Sequence, residues 1–315
     1  MFKYSRKGVL RIANENNFLV NNTEKVLRLC QILNYINQSE FGKNLLLKGG
    51  TAINVFLLNL ERLSVDIDFD FSCNLTKEAL DPIREEIKKE ITEYMMSEEY
   101  HLSDKSKFTH ALDSFVFNYQ TTSNSRDSLK IEINYSDRVH VLDLVKDEVS
   151  LKIGEMVKVN RLSNDELIGS KISALITRTT PRDIYDVYNA LKADVCNLRI
   201  ARKIAIFYVL LGSDLPIDFE KTIDDCLNRI NSLNYNLIKK TLIPVLKREE
   251  KTDIEEIKKS VSDKVKELFS LSDKEKTFID NFNKGVFNYE LLFDDIKTNN
   301  IEAHPMVIWK MSNIK

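Results

Sequence analysis

LLLKGGTAINVFLLNLERLSVDIDFDFS, from Leu45 to Ser72, is the stretch on which the fold turns. The chain has 315 residues and eight glycines, and two of those, Gly49 and Gly50, stand side by side at the end of an apolar run. Further on, Asp66, Asp68 and Asp70 alternate with Ile67, Phe69 and Phe71. Residues two apart in a strand share a face, so the alternation predicts a strand with one apolar side and one carboxylate side. Glycines between a strand at Leu45 to Leu47 and a helix from Thr51 to Leu60 allow a sharp turn. They also leave the first helical amides open to an anion, which is a phosphate-binding geometry. Each half also has a plainer reading. A glycine pair serves a tight turn with nothing bound, and an alternating acidic strand suits a solvated edge.

A second strand changes the weighing. In LKIEINY, Leu129, Ile131, Ile133 and Tyr135 form one face and Lys130, Glu132 and Asn134 the other. If this strand neighbours the first, Glu132 meets Asp66 and Asp68. Three convergent carboxylates are costly without a compensating charge, and a divalent cation supplies one.

Working outward, helical and strand-like periods alternate up to about residue 160. Asn22 or Thr23 is positioned to cap a helix to Gln38, with Val26, Leu27, Cys30, Leu33 and Ile36 on one side. A solvated helix follows from Thr76 to about Glu98, and a strand from Ser114 to Tyr119. Beyond residue 160 only helical periods remain. Ser163 to Glu166 reads as a capping box opening a helix to about Thr177, and Pro181 opens the next. Further helices are expected at 198 to 211, 217 to 232, 235 to 248, 252 to 269 and 273 to 283. The expected architecture is α+β: residues 1 to 160 form a mixed sheet with flanking helices, and residues 161 to 315 form an all-helical domain.

Composition sets limits on partners. With 43% hydrophobic and 30% charged residues and a formal net charge of -2, the chain reads as a globular protein without an overall basic field. Cys30, Cys73, Cys196 and Cys226 lack metal or disulfide spacing, so buried free thiols are expected. The four histidines have no ligand spacing, and Trp309 is expected to tie down the C-terminus. No apolar run reaches the roughly 18 residues of a membrane span, and the N-terminal residues have no apolar signal region, which indicates a cytoplasmic protein.

Gly49, Gly50 and Thr51, then Arg62, Ser64, Asp66 and Asp68 in RLSVDID, then KISALITRTTPRDIYDVY from Lys171 to Tyr188, resemble the AbiEii toxin family of nucleotidyltransferases. That family lies within the polymerase-β-like superfamily and includes the MenT toxins. The resemblance implies a nucleotidyltransferase-fold domain. It also implies transfer of a nucleoside monophosphate from a nucleoside triphosphate to a hydroxyl, with pyrophosphate released and Mg²⁺ required, two ions in all. By the same resemblance Asp66, Asp68 and Glu132 are the metal ligands, and Gly49, Gly50, Thr51 and Ser64 hold the triphosphate. The helical domain would contribute Lys171 to the active-site cleft, with Arg178 and Asp183 alongside. Lys171 and Arg178 share a helix face by spacing and are candidates for the triphosphate or the acceptor's backbone; a lone cation is otherwise an ordinary surface residue, and the resemblance favours the functional reading for Lys171. Asp183 equally serves the helix start, and Asp186 is spaced to pair with Arg182.

Family resemblance further implies a toxin of a toxin-antitoxin or phage-defence pair, a separately encoded antitoxin, and a tRNA 3′ end as acceptor. Residues 171 to 203 carry seven basic against three acidic side chains, and Arg182, Arg199, Arg202 and Lys203 are the candidate RNA contacts. Two other functions fit the residues: a non-catalytic nucleotide-binding module with a protein partner, and the same chemistry on a protein or small molecule.

Overall fold

A computed structural model of the chain describes residues 2–73, 75–249 and 252–314. The chain divides into two compact units. One takes the chain up to Arg138 with Leu144–Arg161 and Val245–Glu249, and the other takes Val139–Asp143, Leu162–Pro244 and the described residues from 252 onward. The architecture is α+β, a mixed sheet flanked by helices followed by a helical region.

The first unit contains helices α1 (Arg6–Glu15), α2 (Val20–Gln38), the single turn α3 (Gly49–Ala52) and α4 (Lys77–Ser97). Its strands are β1 (Leu45–Lys48), β2 (Asp66–Phe71), β3 (His101–Leu102), β4 (Lys107–Phe108), β5 (Leu112–Gln120), β6 (Arg126–Asn134), β7 (Val145–Ser150) and β8 (Met156–Arg161). They form one sheet in the order β3-β5-β6-β2-β1-β8-β7, with β4 beside β5. The pairs β2–β6 and β1–β8 are parallel, and the rest are antiparallel. One sheet face is apolar: Leu45, Leu47, Ile67, Phe69, Phe71, Ile131, Ile133, Phe115 and Phe117 are all buried. The α2 stripe of Val26, Leu27, Cys30, Leu33 and Ile36 is buried as its spacing requires, and α2 packs on β8.

Several local expectations need correction. The α2 helix starts at Val20 with Leu19 as its cap residue, so Asn22 and Thr23 lie within its first turn, and the Thr23 hydroxyl donates to the Leu19 carbonyl. The helix after the glycine pair starts at Gly49, widens into a π turn over Ile53–Leu57, and ends before Asn59 and Leu60, both at positive φ. The cause is Asn54. Its amide donates to the Gly50 carbonyl at 3.0 Å while its side-chain oxygen accepts from the Arg62 amide, a competing set of bonds that opens the regular ladder. Strands β3, β4, β7 and β8 were not anticipated: β3 and β4 have two residues each, and the alternation of β7 and β8, with Val157 and Val159 buried, was passed over.

The second unit is helical: α5 (Asn164–Arg178), α6 (Pro181–Ala193), α7 (Leu198–Gly212), α8 (Phe219–Asn231), α9 (Tyr235–Thr241), α10 (Ile254–Leu268), α11 (Asp273–Asn283), α12 (Glu290–Phe293) and α13 (Pro305–Asn313). The apolar face of α7 packs against α5. The stretch expected as one helix from 235 to 248 is helical only to Thr241, with a short 3₁₀ turn at Ile243–Val245 around Pro244, whose ring cannot continue an α-helix. Trp309 itself is 57% exposed, while its neighbours Val307 and Lys310 are buried. All four cysteines are free thiols, Cys30 and Cys226 buried and the other two half-buried. Among the described residues no helix is long and apolar enough to cross a membrane.

The capping box expected at Ser163 is only half made. The Ser163 hydroxyl accepts from the Glu166 amide, but the Glu166 carboxylate accepts from the amides of Val141 and Leu142 at 2.8 and 2.9 Å and from the Tyr208 hydroxyl at 2.5 Å. Glu166 is fully buried, so long-range partners have taken the role local ones would fill. Glu166→Ala should therefore destabilise the protein by about 2 kcal/mol or more, because it strands two buried amides and a hydroxyl. A urea midpoint shift under half a kcal/mol would remove this anchoring role.

Candidate active site

The parallel pairing of β2 with β6 sets Asp66 opposite Lys130, Asp68 opposite Glu132 and Asp70 opposite Asn134. Paired residues project from the same face, so the carboxylates of the two strands meet on the polar side of the sheet. The row continues sideways. Ser114 of β5 stands opposite Glu132, and Lys48 of β1 stands opposite Asp68. Ser114, Glu132, Asp68 and Lys48 thus cross four adjacent strands in line.

Charge in this row is partly balanced from within. The Lys48 ammonium lies 2.5 Å from Asp70 and 3.6 Å from Asp137, and Lys130 lies 2.8 Å from Glu132. Asp70 is 2% exposed, so it is the buried partner of Lys48 and not a solvated carboxylate. Burial, then the charges of Asp66 and Glu132, raise the Asp68 pKa above the ordinary carboxylate value, and Lys48 and Lys130 pull it only partly back. Burial opposes the charge on each lysine, but the neighbouring acids outweigh it and hold both ammonium groups charged.

The glycine pair is explained by close approach to these groups. Gly49 has φ +69°, and a Cβ there would stand 2.6 Å from the Asp68 carboxylate. A Cβ on Gly50 would stand 2.9 Å from the Arg62 guanidinium and 3.1 Å from the Ser64 hydroxyl. Gly49, Gly50, Ser64 and Asp68 are therefore one cluster, and Arg62, 2% exposed beneath Gly50, belongs to it although sequence reasoning assigned it no role. The buried Thr51 hydroxyl donates to the Asp66 carbonyl, which ties the glycine turn to the carboxylate strand. Lys48 and Lys130 were also passed over. For Lys130 the signal was there, since it shares the period-two face of Glu132; Lys48 follows three leucines and meets Asp68 only through the β1–β2 pairing.

A metal is implied by the resemblance, and the donor set allows a test. Asp66, Asp68 and Glu132 offer only carboxylate oxygen, the donor a hard divalent cation takes, and their mutual repulsion is what such an ion relieves. In type and charge the residues fit Mg²⁺. Their present arrangement is not a finished ligand cage: among the described residues no group of three His, Cys, Asp or Glu side chains is drawn together for a metal, and Glu132 is held by Lys130.

The candidates of the second unit are brought together around Asp183. Its fully buried carboxylate accepts from Arg178 at 2.8 and 2.9 Å, from Lys171 at 3.1 Å and from the Thr180 hydroxyl, completing a capping box at the start of α6. Lys171, 5% exposed, also pairs with buried Asp186 at 3.0 Å. Burial pushes the Asp183 pKa up, but the Arg178 hydrogen bonds and the Lys171 charge overcome it and hold the group well below the ordinary carboxylate range. Within this unit the three residues form a cross-link between α5 and α6.

Each of the expected RNA contacts has a partner within the unit. Arg182 donates to the Thr241 carbonyl, and Arg199 pairs with Asp295. Arg202 grips Glu275 and the Leu268 carbonyl, and Lys203 lies 2.9 and 3.1 Å from Asp294 and Asp295. Of the basic residues between 171 and 203, Lys171, Arg178, Arg199, Arg202 and Lys203 pair with acids from α6, α11 and the segment after α12.

A strand-turn-helix with a glycine pair stands next to a paired-strand carboxylate row, an arrangement suited to phosphate chemistry. The family described as nucleotidyl transferase AbiEii toxin, type IV toxin-antitoxin system, matches residues 31–271. This chain belongs to the AbiEii family and is a nucleotidyltransferase toxin of a toxin-antitoxin system, which implies a nucleoside triphosphate substrate and a cognate antitoxin. The fold is similar to that of MenT4, a nucleotidyltransferase toxin from Mycobacterium tuberculosis H37Rv, at 16% identity and TM-score 0.62 over 88% of this chain and 93% of that one. A candidate nucleotidyltransferase from H. pylori aligns at 19% identity and TM-score 0.42 over 79% of this chain and 93% of its own. No curated protein matches the chain.

Two outcomes test this geometry. Gly49→Ala should lower stability by about 1–2 kcal/mol, since an L side chain at positive φ is strained and the new methyl meets Asp68; an unchanged denaturation midpoint would contradict the close approach. Lys171→Met should cost about 3 kcal/mol, as removing one partner of a buried ion pair strands the others. Asp183 has a depressed folded pKa, so its contribution is whole above about pH 4 and is lost as pH falls further. The acid limb of a stability-pH curve should therefore be shallower in Lys171→Met, and parallel limbs would refute the coupling.

Proposed function

We propose that the protein transfers a nucleoside monophosphate from a nucleoside triphosphate to an acceptor hydroxyl in a Mg²⁺-dependent reaction, and that the acceptor is the 3′ end of tRNA. The observation that carries the chemistry is the row of Asp68 and Glu132, with Asp66 one step along, set against the Gly49–Gly50 turn. The acceptor follows the family resemblance alone.

In this reading Asp66, Asp68 and Glu132 would hold the metal. The ion, when bound, neutralises charge on the triphosphate and the attacking oxygen. The amides of the glycine turn receive the outer phosphates, and the Ser64 hydroxyl and the Arg62 guanidinium lie against Gly50 to support that turn. The acceptor oxygen bonds to the α-phosphorus, the bridging bond to the β-phosphate breaks, pyrophosphate leaves, and the hydroxyl proton passes to solvent. The chain's contribution is orientation and charge placement.

Two measurements test this. Incubation with each α-labelled triphosphate, Mg²⁺ and either total tRNA or total protein should label the tRNA pool, while label in protein would reassign the acceptor. Asp66→Asn and Asp68→Asn should each lower transfer on the order of a thousandfold while leaving the protein folded. Both should melt at or above the wild-type temperature without metal, since each removes one of the mutually repelling charges. Retention of a tenth of wild-type transfer by both variants would move the chemistry elsewhere.

A further inference from the structure

Lys130 stands among the candidate metal ligands. It faces Asp66 across the β2–β6 pairing and holds the neighbouring Glu132 at 2.8 Å, on the one sheet face that carries the carboxylates. Its side chain is 38% exposed and that of Glu132 23%, so the pair is within reach of solvent and is not locked in a core. Lys48, the other cation of the row, is engaged differently, because its ammonium is drawn toward buried Asp70 and toward Asp137. Of the two lysines, only Lys130 is bonded to a side chain that the metal reading needs.

We propose that Lys130 is the resident counter-ion of the carboxylate row, and that a divalent cation must displace its ammonium from Glu132 to complete its site. The inference rests on the metal reading given above and adds to it a specific competitor. A carboxylate oxygen bonded to an ammonium group has a lone pair engaged and its charge partly neutralised, so it is a poorer ligand until the pair opens. The arrangement keeps like charges tolerable in the metal-free fold and sets the cation concentration at which the site fills. No covalent bond changes in this exchange; Lys130 and the cation trade places at one oxygen. Lys130 is a positioning residue here, since it acts through Glu132.

Direct binding of Mn²⁺, followed by electron paramagnetic resonance on the full-length protein without nucleotide, reads this exchange apart from turnover. Lys130→Met should bind Mn²⁺ roughly three- to tenfold more tightly than wild type, the scale expected when a partly exposed ion pair no longer competes. Lys130→Arg should stay close to wild type. In a Glu132→Gln background, most of the gain from Lys130→Met should vanish, because no carboxylate remains to be released. Unchanged or weaker binding by Lys130→Met overturns the proposal, as does a full gain that persists without Glu132. If wild type binds Mn²⁺ and Asp68→Asn does not, yet Lys130→Met behaves as wild type, this inference fails alone. If wild type and Asp68→Asn bind equally, the metal reading fails and takes this inference with it.

Discussion

The polar face of the central sheet is organised by repulsion among like charges. Asp66, Asp68 and Glu132 are brought onto neighbouring strands by the β2–β6 register, and nothing in the apolar face opposite requires them there. Unit charges a few ångströms apart interact by several kcal/mol at the effective dielectric of a protein surface. A fold that keeps them together must therefore supply compensation. Lys130 and Lys48 do so from the same strands and the next, and Gly49 removes the side chain that would otherwise crowd Asp68.

The helical unit meets a similar problem in another way. Its buried acids Asp183, Asp186 and Glu275 each have a cationic partner: Asp183 has Arg178 and Lys171, Asp186 has Lys171 and Glu275 has Arg202. Such pairs hold helices in register but leave few cations for a polyanion. Three cations of a segment that looks basic when read along the chain, Arg199, Arg202 and Lys203, are paired in space by acids that α11 and the residues after α12 return to it. The half-exposed carboxylates of the sheet have no comparable closed set of partners, and that asymmetry distinguishes a structural charge cluster from one available for chemistry.

Strands β1, β2, β5 and β6 and most helices were legible because their signal is local. Ile67, Phe69 and Phe71 alternate cleanly with Asp66, Asp68 and Asp70, and the α2 stripe repeats at helical spacing. Legibility failed where a long-range partner overrode a local pattern. Glu166 left its expected cap for the Val141 and Leu142 amides, and Asn54 opened the helix after Gly50 by bonding both its own turn and Arg62. Strands β7 and β8 were passed over although Val157 and Val159 alternate with Lys158 and Asn160; their place in the sheet is set by pairing with β1 and with each other.

Sequence by itself determined which residues face the same way: the period of two assigns Asp66, Asp68 and Asp70 to one side of β2 and Lys130 and Glu132 to one side of β6. It also located the glycine pair between strand and helix. Only the tertiary structure decided which of these charges meet, because register between strands distant in the chain is a property of their pairing and not of either strand alone. The same holds for the cations. Whether Lys171, Arg202 or Lys130 faces solvent, a structural carboxylate or a candidate ligand depends on what packs beside it, and no spacing along the chain carries that information.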